Sequence, residues 1–111
     1  MMMSEWLEMV ETELGRAQQT QNPGRVRTVA RRIAGIAIQE LRRQSSQDPT
    51  GEDYLRLLNW IAQKKDVPPE VAGAAQRLGA RLSEDFTSPS VDPLGDAIII
   101  VGFVKRSSGA L

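Results

Sequence analysis

The sequence contains neither cysteine nor histidine. Without cysteine there is no disulfide and no thiolate nucleophile, and a reducing cytoplasm is the natural setting. Without histidine the chain lacks the commonest metal ligand and the side chain that most often moves protons near neutral pH. The usual routes of catalysis are closed, and no cofactor or metal site is expected. Net charge is also missing, because 14 lysines and arginines stand against 14 aspartates and glutamates. Any attraction to an anionic polymer or membrane must therefore be local. The longest apolar run, Ala97 to Val101, is far too short to cross a bilayer, and the acidic start MMMSEWLEM is unlike a secretory signal. These absences point to a soluble, cytoplasmic, non-enzymatic protein with no membrane contact.

What is present reads as helix. The 111 residues fit one domain, which proline, glycine and serine cut into five pieces of helical length. Ser4 is an N-cap for a first helix that stacks Trp6, Val10, Leu14 and Ala17 on one face. Asn22 and Pro23 open a second, and Thr50, with Asp53 three residues on, opens a third that buries Tyr54, Leu57, Leu58 and Ile61. Pro68 and Pro69 pre-set a fourth helix burying Val71, Ala75, Leu78 and Leu82, and Gly73 and Gly79 suggest that it packs closely on a neighbour. The fifth segment, from Asp92 to Lys105, carries the β-branched run IIIV, yet Asp92-Pro93 repeats the cap-then-proline start of the second. No other segment could pair with a lone strand inside one chain, so a helix is predicted, the alternative being a strand paired with a second copy. The expected fold is a single-domain, all-α, antiparallel bundle of about five helices, its core built mostly from the second, third and fifth, with a flexible tail from about residue 106.

The second helix carries the strongest pattern. Val26, Val29, Ala30, Ile33, Ile36, Ala37 and Leu41 share one half of the helical wheel, and six arginines share the other. Arg25, Arg32 and Arg43 cluster near one edge, Arg27, Arg31 and Arg42 near the other, with Gly24, Thr28 and Gly35 between them, so two basic ridges lie beside a shallow seam that a backbone or another helix could approach closely. Guanidinium groups make forked hydrogen bonds to carboxylate or phosphate, so these six residues form a candidate site for an anionic partner. The alternative is structural: Glu5, Glu8, Glu11 and Glu13 of the first helix could lie beside the same arginines, in surface pairs worth about 0 to 1 kcal/mol each. Nucleic acid is the less favoured partner, because no aromatic is interleaved with the arginines and no finger or RNP pattern occurs. Ser45 and Ser46 follow Arg42 and Arg43 in a context open to a kinase, but such residues are also ordinary loop composition.

The stretches GRVRTVARRIAGIAIQEL, PPEVAGAAQRLGARLSEDF and VDPLGDAIIIVGFV resemble small bacterial helical proteins of the HEPN-like kind over residues 3 to 104. In that superfamily the ribonuclease members use an arginine followed closely by a histidine, a motif this chain cannot contain. The resemblance implies a non-catalytic helical bundle that often dimerises. A homodimer is expected, through either the glycine-alanine face of the fourth helix or the apolar run of the fifth.

Overall fold

Asn22 does what its position predicts: its Oδ1 accepts hydrogen bonds from the backbone N–H groups of Gly24 and Arg25, at 2.9 and 3.2 Å. That cap starts the longest element in a computed structural model that describes residues 4–44, 53–80 and 92–107. The elements are α1 (Glu5–Gln18), α2 (Pro23–Gln44), α3 (Tyr54–Gln63), α4 (Pro69–Gly79) and α5 (Pro93–Ser107). No strand occurs among the described residues. Asp92 caps α5 by accepting from Gly95 N–H at 3.0 Å, as the sequence suggests. The start of α3 differs from expectation. Asp53 is itself the N-cap, its carboxylate accepting from Arg56 N–H at 2.8 Å, and Thr50 lies outside the described residues. Ser4 holds the N-cap position of α1 without a side-chain cap.

Helix α2 is the centre of the bundle and packs against all four others. From Ile33 to Ile38 every residue is buried, so the two-sided pattern of its ends gives way in the middle to a rod enclosed all round. The four-residue turn from Gln19 to Asn22 folds α1 back antiparallel on α2: Trp6 lies near Gln39 and Arg43, and Arg16 lies near Arg25. Ile33, Ile38, Leu57, Leu58, Ile61, Leu78 and Ile100 are fully buried, each contributing about 1.5 to 3 kcal/mol of transfer free energy.

Helix α4 contributes more to the core than the sequence suggests, with Val71, Ala74, Ala75 and Leu78 all buried. Part of its small-residue face packs within the monomer: a methyl group added at Gly79 would lie 3.6 Å from Cβ of Leu58 on α3, in ordinary van der Waals contact, whereas one added at Gly73 would meet only the Arg77 guanidinium of its own helix, at 3.3 Å. Leu82 lies outside the described residues. In α5 the β-branched run is helical because Ala97, Ile100, Val101 and Val104, spaced three and four apart, are all buried, and burial outweighs a local preference of at most about 1 kcal/mol. Helix α5 continues through Ser107, and the remaining four positions of the expected tail lie outside the described residues. None of the described helices is long and apolar enough to cross a membrane.

Candidate functional site

The two arginine edges of α2 face different neighbours. Arg25, Arg32 and Arg43 lie toward α1, whereas Arg31 and Arg42 lie toward α4 and α3. Gly35, expected to floor an open seam between the edges, is buried, and the ring of Tyr54 from α3 lies directly against its Cα. A methyl group there would overlap the ring. The seam is closed by the chain's own aromatic, which leaves Tyr54 itself 37% exposed rather than in the core.

On the α3 and α4 side the guanidinium groups act inside the fold. Arg31 donates from Nε to the carbonyl of Leu78 at 2.7 Å and from Nη2 to that of Ala80 at 3.1 Å. These carbonyls end α4, where orphan acceptors and the negative end of the macrodipole favour a cation. Burial, with help from the like charge of Arg27, pulls the Arg31 guanidinium below its ordinary pKa. Arg31 is a helix cap, so it is withdrawn from the expected anionic contact surface. Arg42 lies 5.3 Å from the Trp60 ring centroid, and Lys64 lies 5.9 Å from it, within cation–π range.

On the α1 side a single carboxylate serves two cations. Glu13 is only 7% exposed and accepts from Arg16 at 3.2 Å and from Arg32 at 3.1 Å. The structural alternative for the arginines therefore holds for Arg32, through one of the four candidate glutamates. Sequence periodicity puts Leu14 in the core and leaves Glu13 outside; instead Leu14 is half-buried and Glu13 is enclosed. At the far end of the same edge Arg43 pairs with Glu40, in a groove that also carries Glu5, so acids outnumber bases there.

The near end is the opposite. Beside the α1–α2 turn lies an open groove of about 520 Å³, lined by Arg16, Thr20, Asn22, Arg25, Thr28 and Arg32 with Gly24 and Val29, and by no acid among the described residues. Arg16 and Arg32 share the one carboxylate of Glu13, and with Arg25 the three guanidinium groups leave an excess of two positive charges. Arg25, in the first turn of α2, also sits at the wrong end of the macrodipole. Because Asn22 already occupies the N–H groups of Gly24 and Arg25, an anion here would be held by side chains. Arg16 escapes a reading of the sequence because it lies on a different helix from the six.

A second buried carboxylate escapes it too: Asp96, 6% exposed, takes a forked contact from the exposed Arg77, with Nη2 at 2.8 Å and Nε at 3.1 Å. The hydrogen bond to Asp96 holds the Arg77 guanidinium above its ordinary pKa. This pair ties α4 to the start of α5. Among the described residues no group of three or more carboxylates is placed to hold a metal ion. No family model matches the chain, and neither does any curated protein or solved structure.

Proposed function

We propose that the protein is a non-enzymatic helical interaction module that binds an acidic protein segment in the groove beside the α1–α2 turn. The observation that carries this reading is the convergence of Arg16, Arg25 and Arg32 on a groove with no lining acid among the described residues. Arginine, threonine and asparagine offer charge and hydrogen bonds but no group that exchanges protons near neutral pH, which supports recognition rather than reaction. The setting is the cytoplasm, and the module self-associates, in keeping with the HEPN-like rhythm of its helices. Of the six arginines singled out on α2, Arg25 and Arg32 belong to this contact, with Arg27 close by, beside Gly24. Arg31 and Arg42 contact α4 and α3 of the same chain, and Arg43, 68% exposed, pairs with Glu40 of its own helix.

An aspartate- and glutamate-rich peptide, followed by fluorescence anisotropy, tests the reading. Arg16→Gln and Arg25→Gln should each weaken binding about two- to fivefold, because an exposed ion pair contributes about 0.2 to 1 kcal/mol. Thermal stability should stay nearly constant for Arg25→Gln. A peptide affinity that neither substitution changes would remove the groove as the site. Tighter binding of an RNA or DNA oligonucleotide than of the peptide, with a steep loss between about 50 and 200 mM salt, would replace the acidic partner with a phosphate backbone.

A further inference from the structure

The donors of the groove beside the α1–α2 turn are only partly used. Arg16 and Arg32 both meet Oε1 of Glu13, at 3.2 and 3.1 Å, and both do so through Nη1 alone. Their Nε and Nη2 groups make no hydrogen bond among the described residues. That edge is the one Arg77 turns to Asp96 and Arg31 turns to the end of α4, so elsewhere in the chain it carries the forked contacts. The Arg25 guanidinium has no partner among the described residues. Thr20 Oγ1 accepts from Asn22 N–H at 3.2 Å, which leaves its hydroxyl proton to donate. Thr28 already gives its own to the carbonyl of Gly24, so it has only lone pairs to offer. The groove thus combines two open forks, a third guanidinium, one hydroxyl donor and an excess of two positive charges.

We propose that the group this groove selects on its partner is a phosphorylated side chain. A carboxylate brings one charge and two coplanar oxygens, so it fills a single fork and leaves one cation unmatched. Two carboxylates on neighbouring residues match the charge but repel each other once brought to side-by-side arginines. A phosphomonoester carries about two negative charges near neutral pH on three acceptor oxygens. It can take both forks and the Thr20 hydroxyl together. A phosphodiester brings one charge per group, which sets this ligand apart from a nucleic-acid backbone. The groove, about 520 Å³ in volume, leaves room beside the phosphate for the residues that flank it.

The assignment rests on the acidic-segment reading above and names the acid. Three versions of one acidic peptide, differing only in phosphoserine, glutamate or serine at a single position, test it by fluorescence anisotropy. At about pH 7.5 the phosphoserine version should bind about tenfold or more tighter than the glutamate version. The chain has no histidine or cysteine, so between about pH 7 and 5.5 the phosphate is the principal group whose charge changes. Its advantage should shrink to about two- to threefold at about pH 5.5, as the dianion takes up a proton. Arg16→Lys and Arg32→Lys keep the charge but remove the fork. Each should reduce the phosphoserine advantage while glutamate-peptide binding stays within about twofold. Inorganic phosphate, which lacks flanking residues, should displace the phosphopeptide only at about millimolar concentration. A phosphoserine advantage below about twofold, one undiminished at about pH 5.5, or one that both lysine variants keep whole would overturn the phosphate and leave the acidic segment standing. Displacement by micromolar inorganic phosphate would make a free phosphate the ligand and overturn the phosphorylated segment. If none of the three peptides binds, the acidic-segment reading falls as well.

Discussion

The two flanks of α2 carry the same residue type at similar spacing and use it for opposite ends. Toward α3 and α4, Arg31 is committed to backbone carbonyls and Arg42 to an indole face. Toward α1, Arg32 shares one carboxylate with Arg16 of α1 while Arg25 adds a third cation, which leaves charge in excess beside the turn. The difference comes from the neighbours. A helix end supplies uncompensated acceptors that absorb a guanidinium, whereas beside the α1–α2 turn α1 contributes only Glu13. An arginine-rich helix face is therefore not one site, and its contact potential is concentrated where acceptors are scarce.

Gly35→Leu should have the largest effect on this contrast. It forces the Tyr54 ring away from α2 and should destabilise the protein by about 2 to 3 kcal/mol, visible as a lowered chemical-denaturation midpoint. The α1-side groove should then keep its peptide affinity under conditions where the protein stays folded. Arg31→Met should follow, at about 2 kcal/mol, since it leaves two carbonyls at the end of α4 without their charged donor. Hydrogen exchange in the last turn of α4 should rise more than in α1. An unchanged midpoint would mean that water replaces the cap without loss.

Of these three substitutions Glu13→Gln should change stability least, but it carries the sharpest sign. Loss of the shared carboxylate should cost about 1 kcal/mol, well below the cost for a fully buried pair, because the Arg16 and Arg32 side chains are 63% and 36% exposed. The same change frees both guanidinium groups, so binding of an acidic peptide should tighten about two- to fivefold. A variant that loses stability and affinity together would show that Glu13 positions the arginines rather than competing for them.

Much of the helical framework was legible because its signals are local. Asn22-Pro23 and Asp92-Pro93 mark helix starts within three residues of themselves, and the apolar spacing of α5 survives a β-branched composition. The site was less legible because its determinants are distant. Arg31 meets carbonyls 47 and 49 residues along the chain, and no spacing within α2 announces them. Glu13 is bonded by Arg32, 19 residues away, and without that partner its position on the wheel reads as solvated. Gly35 looked like an opening since a wheel shows which residues align but not which aromatic will cover them.

The tryptophans fall on opposite flanks of α2: Trp6 is enclosed on the α1 side, while Trp60 is half-exposed between two cations on the α3 side. Their indoles should emit at different wavelengths and respond differently to quenchers. With no third indole in the chain, each single-tryptophan variant becomes an optical reporter for one flank, able to reveal whether the hairpin at the amino terminus loosens before the rest melts.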